Sequence, residues 1–208
     1  MIQNTVKSLL LIGVMVGSMH KVHTMDKIHF EKVTIAHEKC IFDWLEKPHV
    51  QEFWDNSQKH RDDIINFVNS RKEICEGLFD YWVGSIEGNS FCLVMTSEIL
   101  STSNVPDVWK THLSKTGKTL SLDFMIGNEN YLGKGLAAPT LEEFTLFIKD
   151  KIDKSVDTFF IDPNENNPRA KHVYAKAGFK VVTEFIRNGD RFSLMVKAPG
   201  PITIAAID

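Results

Sequence analysis

Asn167-Pro-Arg-Ala-Lys-His-Val-Tyr-Ala-Lys-Ala-Gly-Phe179 is the stretch whose reading decides the fold. Asn167 is a suitable N-cap, and Pro168 sits at the first helical position, where its missing N–H costs nothing. Ala170, Val173, Tyr174 and Ala177 recur at i, i+3, i+4 and i+7, the spacing of one apolar helix face. Gly178 supplies the left-handed residue that ends a helix, and Phe179 plugs back as its hydrophobic partner. The pattern predicts a helix over 168–177. One feature is left over: a tyrosine hydroxyl at the centre of an apolar face, where a buried Tyr needs a partner or a task.

Strands flank this helix. Upstream, Thr158-Phe-Phe-Ile161 is short and apolar, as a strand buried on both faces is. Downstream, 179–186 and 190–197 read as a hairpin turning at Asn188-Gly189. Further upstream, Thr119 to Ile126 is a strand. A polar loop, Gly127 to Leu132, leads to a helix whose core stripe is Leu136, Leu141, Phe144, Phe147 and Ile148. Between strand and helix lies Leu132-Gly133-Lys134-Gly135-Leu136-Ala137-Ala138. Glycines there let successive N–H groups face one concavity, to which the helix N-terminus adds its amides and positive dipole end; such a cradle binds phosphate oxygens. It is not a P-loop, because the GxxxxGK[ST] spacing is absent. A dinucleotide fingerprint would need a third glycine where Ala138 stands.

Towards the N-terminus, Ile28, Phe30, Val33 and Ile35 nearly alternate with polar residues and read as a strand. A helix over 37–47 carries Ile41, Trp44 and Leu45 and is ended by Pro48; a second covers 61–72 with Ile64, Ile65, Phe67 and Val68 inside. Strands follow near 79–86 and 90–96, joined at Glu87-Gly88-Asn89, and 97–117 is a long aperiodic loop. The order β-α-α-β-β-β-α-β-α-β-β predicts an α/β domain built on a mixed sheet flanked by helices.

Composition narrows the function classes. The chain has 208 residues, 43% hydrophobic and 25% charged, which excludes a disordered or fibrous protein. With 24 basic against 27 acidic residues the net charge is -3, so no nucleic-acid partner is expected. Cys40, Cys75 and Cys92 are scattered, without a CxxC pair, and argue against a disulfide framework, a thiolate metal site or a cysteine nucleophile. No histidine spacing of metal-ligand type occurs, and His172 falls on the outer side of its helix. Residues 1–25 stand apart: Lys7 precedes an apolar run through Met19 that is too short for a membrane span. Either it is a secretory signal cleaved after Ser18, or Met25 is the true start. The expected division is an apolar extension over 1–25, one domain over 26–198 and a tail over 199–208, with no stable membrane association.

Gly133-x-Gly135-x-Ala137 after a strand, followed by Asn167-x-x-Ala170-x-x-x-Tyr174-x-Lys176-x-Gly178-Phe179, resembles the GNAT family of acetyl-CoA-dependent N-acetyltransferases. The resemblance spans about residues 27–197 and implies a central, mostly antiparallel sheet. Leu132 stands where the family usually has Arg or Gln, which removes one phosphate contact and leaves the main-chain cradle. Within the family, Trp44-Leu-x-x-Pro48-His-Val-x-Glu-Phe-Trp54 and Asp162-Pro163 look most like aminoglycoside 6'-N-acetyltransferases. Siderophore-precursor acyltransferases share the Trp/Pro/Trp pattern, and protein N-acyltransferases and catalytically degenerate CoA-binding modules remain alternatives.

The resemblance implies acetyl-CoA as co-substrate and no metal. Gly133, Lys134, Gly135, Leu136, Ala137 and Ala138 would hold its pyrophosphate, and Asn167 its pantetheine arm. The splayed strand around Asp123–Ile126 would hold the arm as an added strand, the amide of Phe124 or Met125 facing the thioester oxygen and Ile126 lying alongside. Tyr174 matches the general acid that protonates the leaving sulfur. Asp123, a carboxylate in an apolar strand, would draw the ammonium proton or bind the ammonium. Asp162 would line the acceptor cleft against a polycationic small-molecule amine, with Trp54 a wall for a sugar ring; Asp80 and acids of the 97–117 loop would add to the site. The implied setting is cytoplasmic, in antibiotic resistance, with the protein a monomer or homodimer.

Overall fold

Strand β4 (Lys118–Ile126) is the axis of the molecule: it pairs antiparallel with one neighbour along its length and parallel with the other over its first half only. The structure is a computed structural model that describes residues 27–71 and 79–198; the N-terminal apolar run, Cys75 and the tail over 199–208 lie outside the described residues. The chain runs β1 (His29–Lys32), α1 (Ile35–Leu45), α2 (Pro48–Gln51), α3 (Gln58–Val68), β2 (Asp80–Ile86), β3 (Asn89–Glu98), α4 (Asp107–Lys110), β4, α5 (Ala137–Phe147), β5 (Val156–Ile161), α6 (Pro168–Lys176), β6 (Lys180–Arg187) and β7 (Asp190–Lys197). The seven strands form one sheet in the order β1-β2-β3-β4-β5-β7-β6, and only β4–β5 is parallel. The mixed, mostly antiparallel sheet expected from the sequence is what the chain forms.

Helices cover both faces. On one, α5 and α6 bury Leu141, Phe144, Tyr174 and Ala177 against Trp82, Val94, Leu122 and Phe159. On the other, α1 and α3 bury Ile41, Trp44, Leu45 and Ile64 against Val83, Leu93 and Met125. The Trp44 ring lies flat on the backbone of Gly127, where a Cβ would come within 2.2 Å of it, so that position requires glycine.

Several boundaries differ from the sequence reading. Ile35 is not in β1; it opens α1 and is exposed, because the chain turns at Val33-Thr34. Pro48 starts α2 rather than ending α1, occupying a first-turn position that needs no N–H. The second predicted helix begins earlier, at Gln58, capped by the Ser57 side chain, which accepts from His60 N. The 97–117 loop contains α4, whose Trp109 is buried edge-on between Phe160 and Phe185. The last turn of the helix after Phe147 widens to a π-turn over Ile148–Ile152.

Candidate active site

β4 and β5 share the rungs Lys118↔Val156, Thr119↔Thr158, Leu120↔Phe159 and Ser121↔Phe160, and no others. β5 then ends at Ile161, while β4 continues to Ile126 paired only with β3. The two strands splay apart, and a cleft of about 740 Å³ opens between them. Its walls include Asp123–Ile126 from β4, Asp162 just after β5, Asn167 and Tyr174 from α6, and the α2 segment with Trp54.

Asp123 and Asp162 each stand two residues past the last shared rung, Ser121↔Phe160, and so at matching positions on the two strands. Side chains alternate along a strand. Leu122 points to the α5/α6 core, so Asp123 points to the other face; Asp162 follows the end of β5 and lines the same cleft. The Asp162 side chain is only 6% exposed, and Arg187 Nη1 lies 2.9 Å from its Oδ2. That contact is an ion pair without hydrogen-bond alignment, and Oδ2 is otherwise unsatisfied. Burial raises the Asp123 carboxyl, while the Arg187 charge lowers it. Burial and then the Asp123 charge raise Asp162, again against Arg187. Two carboxylates in one enclosed place titrate as a pair.

Tyr174 projects from α6 and is 8% exposed. Burial first, then the charges of Asp123 and Asp162, push its phenol well above the ordinary tyrosine range. The same causes favour its neutral form, which still carries the hydroxyl proton. Asn167 caps α6, its side chain accepting from Ala170 N at 3.0 Å. The capping oxygen is thus engaged, while the residue still lines the cleft.

At the cleft's other end, Gly133 and Gly135 adopt φ of +72° and +73°, the left-handed conformation glycine permits. Open space lies beside both. α5 begins immediately afterwards with no side-chain cap on its first amides. Lys134 is exposed with its ammonium 5.4 Å from the Tyr131 ring centre. Leu132 and Ala137 line the cleft, whereas Gly133, Lys134, Gly135, Leu136 and Ala138 are not among its lining residues; the glycines are exposed and Leu136 and Ala138 half-buried. Uncapped helix amides behind a left-handed glycine turn fit a phosphate group, and the unpaired edge of β4 at Phe124, Met125 and Ile126 fits an amide-bearing arm laid alongside it.

Trp54 lines the cleft, its indole N–H donating to His60 Nε2 at 3.0 Å. Burial lowers the His60 pKa and so favours the neutral ring that can accept this bond. His49 Nε2 lies 3.0 Å from the carbonyl of Ile126 and ties α2 to the end of β4. Sequence reasoning quoted His49 within a motif without giving it a role and passed over His60 and Arg187; single polar residues carry little signal until the chain is folded. Two expectations fail. Asp80 is not among the residues lining the cleft but pairs with Lys32 at 3.4 Å, and the acids of 97–117 pair elsewhere too, Glu98 with Lys118 at 3.6 Å and Asp107 with Lys110 at 3.1 Å. Cys92 is fully buried, which raises its thiol pKa and leaves it inert. Among the described residues, no group of three or more His, Cys, Asp or Glu is placed to hold a metal ion, and no helix is long and apolar enough to cross a membrane.

Comparison with known proteins gives the arrangement its setting. The fold is shared with aminoglycoside N(6')acetyltransferase from Legionella pneumophila (24% identity, 85% of this chain, 94% of that one, TM-score 0.66). It is shared with AAC(6')-Ib, solved in complex with paromomycin and acetyl-CoA (19% identity, 83% of this chain, 94% of that one, TM-score 0.68). Spermidine N-acetyltransferase from Vibrio cholerae, solved with CoA and spermine, is similar at 16% identity, covering 82% of this chain and 95% of that one, with a TM-score of 0.61. The model of the acetyltransferase (GNAT) domain matches residues 35–186, the span from α1 into β6 that contributes most of the cleft lining. A split sheet, a glycine turn before α5 and a buried tyrosine on α6 thus coincide with that match: the chain belongs to the GNAT family of acetyltransferases and uses acetyl-CoA.

Proposed function

We propose that the protein acetylates a primary amine of a small polycationic molecule of the aminoglycoside type, at the 6'-amine. The observation that carries this reading is the pair Asp123 and Asp162 at matching positions on the splayed strands, inside one cleft. Glu52 and Asp55 add two more carboxylates to the same walls. Such a lining attracts and orients cationic substrates. The fold neighbours that acetylate aminoglycosides and spermidine support an amine acceptor.

In the reaction, the amine nitrogen bonds to the thioester carbonyl carbon, the C–S bond breaks and the thiolate must gain a proton. Asp123 takes the proton that the ammonium must lose, directly or through one water. The β4 amide of Phe124 or Met125 donates to the developing oxyanion. Tyr174 gives its proton to the sulfur, and the second proton, which the nitrogen sheds as the amide forms, returns to Tyr174 through solvent. Gly133 to Ala138 hold the pyrophosphate, Asn167 the pantetheine arm, and Trp54 the face of the acceptor ring. The acetyltransferase unit is residues 26–198, working in the cytoplasm where acetyl-CoA is made, and acetylation of an aminoglycoside would confer resistance to it. Incubation with acetyl-CoA and a panel of aminoglycosides, following free thiol, tests the reading. Thiol release with 6'-amino compounds is expected, and none above background across the panel overturns it.

A further inference from the structure

Arg187 is the last residue of β6, at the tip of the β6–β7 hairpin, where Asn188 and Gly189 turn with φ of +54° and +91°. Its guanidinium reaches into the cleft and rests on the Phe192 ring, 4.2 Å from the centre. From there it contacts Asp162 Oδ2 at 2.9 Å. The two partners are held unequally. The Asp162 side chain is enclosed and fixed beside β5, whereas that of Arg187 is 45% exposed and stands on a flexible stem. The contact is close but falls short of the aligned geometry of the strongest arginine–carboxylate pairs, and it opposes only part of the effect of burial on Asp162. A half-exposed guanidinium loses little when it returns to water.

Resting on the amine-acceptor reading above, we propose that Arg187 is a resident cation standing in the acceptor's place: the incoming ammonium takes Asp162 from it, and Arg187 withdraws along Phe192 into solvent. Until then it offsets the paired charges of Asp123 and Asp162 and keeps two enclosed carboxylates from facing each other alone. Arg169 also lines the cleft, but the cation in contact with Asp162, and whose charge is felt by Asp123, is Arg187. The consequence is selectivity. An acceptor must bring enough positive charge to replace a guanidinium, so a weakly cationic amine is excluded by competition rather than by shape. Arg187 is a positioning residue in this scheme; it touches no reacting atom.

The test compares wild type, Arg187→Gln and Arg187→Lys, each saturated with CoA, by calorimetric titration with 1,4-diaminobutane at about pH 8.5, where the carboxyls are ionised. Arg187→Gln should bind the diamine about tenfold more tightly, a change of about 1.4 kcal/mol. Arg187→Lys, which keeps the competing charge, should stay near wild type. For any amine that is turned over, Arg187→Gln should lower KM, and the acid limb of kcat/KM should move to higher pH because the Arg187 charge no longer holds the Asp123 carboxyl down. Equal or weaker diamine binding by Arg187→Gln overturns the proposal, as does the same shift in both variants, which would mark a structural effect. The diamine measurement needs no turnover. Aminoglycosides that fail as substrates while Arg187→Gln still gains diamine affinity sink the substrate reading alone; turnover without that gain sinks only the role of Arg187.

Discussion

Trp54 donates its indole N–H to His60 Nε2 across 3.0 Å, so the wall of the cleft after α2 is held by a residue on α3. His60 is buried and favoured in its neutral form, as this role requires. Replacing His60 with Phe keeps the bulk and removes the acceptor. The indole is then free to turn, and KM for the amine should rise about fivefold while kcat changes little, since one neutral hydrogen bond is worth about 1 kcal/mol. Steady-state kinetics with the amine varied at saturating acetyl-CoA reads the split.

Tyr174 has its own signature. Tyr174→Phe removes one oxygen from the buried face of α6 and leaves the ring contact with Phe179 in place. If the hydroxyl protonates the leaving sulfur, kcat should fall by about 10² to 10⁴-fold. The dissociation constant for acetyl-CoA, measured by calorimetry, should stay within about twofold of wild type. Unchanged turnover would reduce Tyr174 to packing.

The Asp123–Asp162 pair makes activity depend on pH in a fixed direction. Both carboxyls are raised, to about 6 and about 7, with burial the main cause. A base must be ionised, so kcat/KM should fall as the pH drops through 7 towards 6, and the limb belongs to the pair. The stability effect has the opposite sign. The folded pair holds protons more tightly than the unfolded chain, so its contribution is most favourable at low pH and is lost as the pH rises through the raised values. Asp123→Asn should therefore cut activity at least about a hundredfold while raising Tm at pH 8 by about 3 °C. A fall in both would contradict this.

Gly127 is the structural counterpart. A methyl group there would sit 2.2 Å from the Trp44 ring, in a core with no slack. Gly127→Ala should lower Tm by about 5 °C, the order expected for overpacking a core. Because Gly127 follows β4 directly, acetyl-CoA affinity should weaken with it.

Much of this molecule was readable from its sequence, and the reasons are local. α6 announces itself because cap, proline, apolar spacing and terminal glycine all agree between Asn167 and Phe179. The turn before α5 is readable because only glycine adopts its backbone angles cheaply. What escaped is what depends on distant partners. Arg187 looks like any charged residue near a hairpin turn, and nothing in the chain says that Asp162 waits beside it. His60 reads as a surface position on a polar helix until Trp54 and Tyr81 close over it. The splay was available only by resemblance, because where β5 stops pairing is a property of two strands, not of either one.

The split between β4 and β5 leaves the sheet as two leaves, β1–β4 and β5–β7–β6, bound along a short spine at one end. A bound arm laid along the free edge would act as the missing stitch. On the proposed function, the molecule that would complete this weave is the one the enzyme consumes.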